Sequence, residues 1–300
     1  MTCASSIEPP DDLNDLHRFE TPDEAFQYVR LAGLQDDATV DLGETALALG
    51  LLFLPGVKPE RFRNHLKKLA DTAQEDFDAR LRAKDEDTLA LRVSVLKKAI
   101  HESHGYAGDT EKYDDIQNAN LIRVIERRKG LPIAIGIIYI DVARRLGWPI
   151  EGLNFPGHFL VRMEKDGERV ILDPFRQGQE MNAAELRQLL KSIAGDKAEL
   201  SHNFYDAVSN RDMLLRLENN LKKRLIESEE YAQAVIVVEA MEALAPEEHR
   251  TLFDKGILYA KLGQNGQAKT ALEQYIERAP NPADKQQARM LLLQIMNTSR

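Results

Sequence analysis

Residues 133–146 (Ile-Ala-Ile-Gly-Ile-Ile-Tyr-Ile-Asp-Val-Ala-Arg-Arg-Leu) are apolar almost throughout. A segment with no polar face is stable only when it is covered on all sides. Pro132 stands just before it, where a missing N–H costs a helix nothing, and Gly147 and Pro149 close it. The segment therefore reads as a buried central helix, and the rest of the chain has to wrap it. A membrane span is excluded on length: the longest unbroken apolar run, 46–54, is stopped by Pro55 and falls far short of the ~20 residues a span needs.

Around that helix the periodicity changes. Upstream, Thr21-Pro22-Asp23-Glu24 has the form of a helix start, with a capping residue, a first-turn proline and acids, and helices are also expected over about 41–53, 59–80 and 89–102. His101 and His104 are expected at the carboxyl end of the last of these, before the capping Gly105. Downstream, 150–153, 158–163 and 169–175 read as strands, with Asp166-Gly167 a hairpin turn between the last two. From about 206 onward the chain is helical and repeats. Pro246 and Pro280 stand 34 residues apart, and at the same offset Leu225 falls on Tyr259, Ala234 on Ala268 and Val238 on Leu272. That period, with small residues at helix contacts, is the tetratricopeptide signature. The first copy is degenerate, with Glu229 where the second has Gly263, and so short an array is expected to lean on the central domain.

The domain reading is an acidic leader with one helix at 1–35, a helical lead-in plus core at 36–205, and the repeat module at 206–300. The net charge is −9, of which residues 1–40 carry −7. Neither that balance nor the placement of the aromatic residues suits a nucleic-acid binder. The acidic opening lacks the basic and apolar regions of a signal peptide, and Cys3 is the sole cysteine, so no intramolecular disulfide can form; the expectation is a cytoplasmic protein. No phosphate-binding glycine loop is present, no cofactor is expected, and His101 and His104 lack a third ligand, so no metal is expected either. Glu126-Arg127-Arg128-Lys129 reads as solvated surface, with a structural clamp as the rival, and Arg144-Arg145 as a helix cap.

One pair carries chemistry. A hairpin turning symmetrically at Asp166-Gly167 pairs positions that sum to 333, which sets His158 opposite Phe175 and Leu160 opposite Asp173. His158 and Asp173 then lie diagonally on one face, within reach of each other. A carboxylate so placed can fix the tautomer of an imidazole, as in a catalytic triad, or the two can form a plain structural contact.

The segments Gly130-Leu131-Pro132, Ala143-Arg144-Arg145-Leu146-Gly147, Pro156-Gly157-His158-Phe159 and Ile171-Leu172-Asp173-Pro174-Phe175 resemble the core of the transglutaminase-like superfamily. With residues 118–130 and the terminal repeats, the likeness is nearest its SirB-type branch and extends over most of 36–300. The resemblance implies an α+β fold, a transglutaminase-like (papain-like) core with a small antiparallel sheet and a buried helix. It matches His158 and Asp173 to the family histidine and aspartate, and the nucleophile position falls on Pro132, which has no nucleophilic atom. It also implies that Asn154 and Gly157 line a remnant pocket.

The expected function is therefore a non-catalytic protein-binding or regulatory protein. A protein or peptide partner is expected in the cleft or in the repeat groove, where Leu225 and Tyr259 are the candidate binding residues, with a place in the core of the module as their alternative. The alternatives are a cysteine-protease-like or acyl-transfer hydrolase, using Cys3 or activated water with His158 and Asp173, and a structural subunit of a homo-oligomer.

Overall fold

A computed structural model describes residues 19–298, so Cys3 and the acids before Phe19 lie outside the described residues. Helix α1 (Pro22–Leu34) opens with a full capping box: the Thr21 hydroxyl accepts from the Glu24 N–H, and the Glu24 carboxylate reaches back to the Thr21 N–H. Asp41 caps α2 (Leu42–Leu51) through a single bond, its Oδ1 accepting from the Glu44 N–H. In α3 (Glu60–Arg82) the buried residues Phe62, Leu66, Leu69, Ala73 and Phe77 form one stripe. Helix α4 (Leu89–Lys97) then passes into a π-helical turn, Lys98–Ser103.

That turn corrects the expected role of His101. Its ring is buried rather than set at an exposed helix end, with Nδ1 2.6 Å from the Tyr106 carbonyl oxygen and Nε2 2.6 Å from the Tyr139 hydroxyl. A carbonyl oxygen only accepts, so Nδ1 carries the proton and the Tyr139 hydroxyl donates to Nε2. Burial holds the imidazole pKa below its ordinary value, in keeping with that neutral form.

Strand β1 (Ala107–Gly108) pairs in parallel with β2 (Lys129–Gly130), and α5 (Leu121–Arg127) lies between them in sequence. Helix α6 (Pro132–Arg145) is the central one: every residue from Pro132 to Ala143 is buried. Beside it lies an antiparallel sheet in the order β3 (Ile150–Gly152), β4 (Val161–Lys165), β5 (Glu168–Asp173) and β6 (Gln179–Glu180). The hairpin register is the one read from the turn, with Val161 opposite Leu172 and Lys165 opposite Glu168. Two details differ. The ladder stops at Val161, so His158, Phe159 and Leu160 form a loop end, and β6 adds a short edge that no alternation announced. Helix α7 (Ala183–Ala194) packs its Leu186, Leu189 and Leu190 into a small second core with Leu153, Phe155 and Leu160.

The charged cluster before α6 is structural. Arg127 pairs with Asp109 at 2.9 Å and donates to Asn118, and Arg128 donates to the Tyr106 hydroxyl. Arg145 grips Asp141 on its own helix, while Arg144 reaches Asn210.

Five helices complete the chain: α8 (Asn210–Glu227), α9 (Tyr231–Leu244), α10 (Arg250–Lys261), α11 (Asn265–Arg278) and α12 (Pro282–Thr298). Ala234 and Ala268, equivalent in the repeat, are both fully buried, as small residues at close helix contacts should be. The array does lean on the rest of the chain. The Asp37 carboxylate accepts from the Asn210 and Arg211 N–H groups at the start of α8, and Gly33 of α1 lies against the Ala243 carbonyl of α9 too closely for any Cβ.

The binding role expected for Leu225 and Tyr259 is corrected here. Leu225 is 1% exposed and Tyr259 8%, and the Tyr259 hydroxyl donates to Glu239 at 2.6 Å. A pattern that recurs with the repeat marks the contacts holding helices together, and such contacts are buried. The same offset explains Glu229. Its φ of 59° matches the 71° of Gly263, so a side chain sits in a left-handed conformation that favours glycine. Glu229→Gly should therefore raise stability by about 1 kcal/mol. Urea unfolding of the two chains checks this, with Gly263→Glu expected to cost a similar amount.

Candidate functional site

His158 sits at the end of the loop joining β3 to β4, and three features hold it there. Gly157 has φ of +68°, and Ile193 occupies the space a Cβ would need, so both backbone and packing demand glycine. Phe159 pushes its ring between α6 and β3, against Gly136 and Gly152, where no larger residue leaves room. Arg216 of α8 donates one guanidinium nitrogen to the carbonyl oxygens of Phe155 (3.1 Å) and His158 (2.5 Å).

Asp173 ends β5 and is fully buried. Its Oδ1 accepts from His158 Nε2 at 2.9 Å and from the N–H groups of Phe175 (3.0 Å) and Arg176 (3.3 Å). One carboxylate oxygen thus caps the turn Pro174–Arg176 and orients the imidazole. An acceptor at Nε2 puts the ring proton on that nitrogen and leaves Nδ1 with a lone pair. Nδ1 has no hydrogen-bond partner among the described residues. The Phe175 ring stands edge-on to His158, with centroids 6.0 Å apart.

His158, Pro132, Asn154 and Gly157 line one pocket of about 310 Å³. Pro132 is the first residue of α6, whose amino end has no side-chain cap. Asn154 is exposed at the rim and donates through Nδ2 to the Asn203 carbonyl at 3.4 Å. Leu225 and Tyr259 are not among the lining residues.

Three contributors were not foreseen: Tyr113, Arg216 and Asn220. Arg216 and Asn220 are carried by α8, the helix with which the repeat array begins, and Arg224 one turn on binds the Tyr113 carbonyl at 3.2 Å. No local motif marks them; the only signal is polar residues at helical spacing on the side of α8 away from its repeat partners.

Chemically the site has an oriented imidazole able to accept a proton, but no Ser, Thr or Cys among the described residues lines the pocket. The one lining hydroxyl, Tyr113, has its pKa raised by burial, which weakens it as a nucleophile. Among the described residues no group of three His, Cys, Asp or Glu is placed to hold a metal, and no helix is long and apolar enough to cross a membrane.

Comparison with known proteins agrees with this architecture. Residues 60–219 match the family model of the transglutaminase-like superfamily, and 221–293 match a tetratricopeptide repeat, a module of protein interaction. A UPF0162 protein of Xylella fastidiosa (strain Temecula1) is 30% identical over 267 residues, covering 87% of this chain and 92% of that protein. Protein SirB1 of Salmonella typhimurium is 27% identical over 218 residues, covering 72% and 78%. A solved crystal structure of menin matches at 12% identity with a TM-score of 0.40, covering 86% of this chain and 70% of that one. The chain belongs to the transglutaminase-like superfamily, with SirB1 and the UPF0162 proteins as its relatives, and carries a tetratricopeptide-repeat region behind the family core.

Proposed function

We propose that this protein is a non-catalytic binding protein of the cytoplasm, built on a core that keeps the histidine and aspartate of a triad without its nucleophile. The observation that carries this reading is the content of the pocket. His158 and Asp173 are hydrogen-bonded beside the amino end of α6, and the residue at that end is Pro132. A thiolate would gain from the helix dipole there, whereas proline has neither a nucleophilic atom nor an N–H. Among the described residues the imidazole has no lining Ser, Thr or Cys to activate for covalent acyl transfer. The single cysteine, Cys3, supports a reducing compartment.

The repeat region supplies the second surface. A groove of about 470 Å³ is lined by Asn219 and Lys222 of α8, Arg250 and Phe253 of α10 and Asp284 of α12, among others. Both ends of the proposed binding apparatus thus share α8, which faces the pocket with Arg216 and Asn220 and the groove with Asn219 and Lys222.

Two variants test the proposal against an enzymatic one. Asn219 is exposed on the groove wall, so Asn219→Arg alters the surface without touching the core. A partner that co-purifies with the wild-type chain should be lost with Asn219→Arg and kept with His158→Ala, both variants retaining the wild-type circular dichroism. A turnover that His158→Ala abolishes while the partner stays bound would instead favour chemistry at the pocket.

A further inference from the structure

The pocket in front of His158 differs in charge from the chain that surrounds it. The protein carries a net charge of −9, yet among the described residues no Asp or Glu lines the pocket, and the only charged or titratable lining groups there besides Tyr113 are Arg216 and His158. Arg216 is partly buried and forms no ion pair among the described residues: one of its nitrogens serves the two loop carbonyls, and its other nitrogens have no protein acceptor there. Burial holds its pKa below the ordinary guanidinium value, and the Phe159 ring, 5.5 Å from its Cζ, is the neighbour it has in place of a carboxylate. A cation withdrawn from water without a counter-charge is costly, and an anionic ligand relieves that cost.

Further donors converge on the same space. Ile133 lies at the uncapped amino end of α6, where the backbone N–H groups and the helix dipole favour negative charge. The exposed Asn154 carries an amide at the rim. Leu131, Phe155 and Phe159 complete the wall with apolar surface, and a volume of about 310 Å³ suits a chain end or a single side chain rather than a folded element.

We propose that this pocket binds a carboxylate adjoining an apolar side chain, with Arg216 as its counter-charge. This identifies the chemistry of the cleft's occupant and rests on reading the cleft as a peptide site. The same group is offered by the carboxyl terminus of a polypeptide and by an acidic side chain next to an aliphatic one.

The test is a titration of the full-length, isotope-labelled chain with N-acetyl-Ala-Leu as free acid, with its C-terminal amide, and with N-acetyl-Glu-Leu amide. It is followed at the Gly157 and His158 backbone amides and the Asn154 side-chain amide. The free acid should bind at least about tenfold more tightly than the neutral amide, and raising NaCl should weaken the acid and not the amide. Binding of the Glu peptide as tight as the free acid would assign the site to side-chain carboxylates, and weaker binding to chain ends. Arg216→Gln should erase the preference for acid over amide. Since Arg216 also holds the loop, Arg216→Lys, which keeps the charge, should restore part of it. Equal binding of acid and amide would overturn the carboxylate assignment while leaving the cleft a peptide site. No shift at the cleft with any of the three would overturn both.

Discussion

Between about pH 5 and pH 8 the wild-type chain will fall progressively behind the Glu218→Gln variant in stability. Glu218 sits within α8 at 2% exposure, and its Oε2 is buried with no hydrogen-bond partner. Burial alone pushes its carboxyl up to about 8, so the folded chain holds a proton that the unfolded chain gives up near the ordinary value of 4.5. The sign follows from that difference. The folded state binds the extra proton throughout the interval, so stability is full below the unfolded pKa and falls as pH rises toward the folded one. Each pH unit in the interval is worth up to about 1.4 kcal/mol. Glutamine has the shape of the protonated acid and does not ionise. The two chains should match near pH 5, and the variant should lead by roughly 2–4 kcal/mol near pH 8. In both chains Glu44 and Asp141, raised by burial, act in the same direction, and His65 and His101, lowered by burial, act against it; the difference between the chains belongs to Glu218. Urea unfolding at a series of pH values measures it, and parallel curves would show that Glu218 is not buried as described.

The second large effect is a gain. Pro132→Cys places a thiol at the first position of α6, in the pocket that His158 lines and Asp173 orients from behind. The helix amino end stabilises a thiolate, and the free Nδ1 of His158 can take the thiol proton. In a chain that also carries Cys3, the new cysteine should be alkylated by iodoacetamide near pH 6.5 at least about tenfold faster than Cys3. Adding His158→Ala should remove the advantage. Mass spectrometry of the two cysteine peptides gives both rates from one sample. Equal rates would mean that position 132 is not where a nucleophile belongs.

Much of this arrangement was legible before the structure, for reasons particular to certain residues. Asp166-Gly167 ties the hairpin register to one value, because a two-residue turn leaves no freedom, and extending that register past its last pair, Val161 with Leu172, points the His158 loop end toward Asp173. The all-apolar stretch after Pro132 could only be a covered helix. The 34-residue offset carried the repeats, and it also led to the mistaken role of Leu225 and Tyr259, since what recurs in a repeat is what packs. The contributions of Tyr113, Arg216 and Asn220 were out of reach. They come to the pocket by tertiary packing of α8 and of a loop far from His158 in the chain, and no short-range pattern encodes that. The burial of His101 was hidden for a related reason: its partner Tyr139 belongs to a different helix, and a π-helical turn aims the ring inward.

The central claim is that the cleft binds without reacting, and one measurement addresses it directly. Turnover of an unactivated substrate, a mixture of fluorogenic peptide amides that free imidazole does not cleave, is followed for the wild-type chain, Cys3→Ser and His158→Ala at equal concentration. The three should hydrolyse it at the same background rate, within about twofold, with no burst of acyl-protein. A wild-type rate about tenfold or more above that of His158→Ala would contradict the claim and establish the pocket as an active site. Cys3→Ser would then separate a thiol nucleophile from activated water.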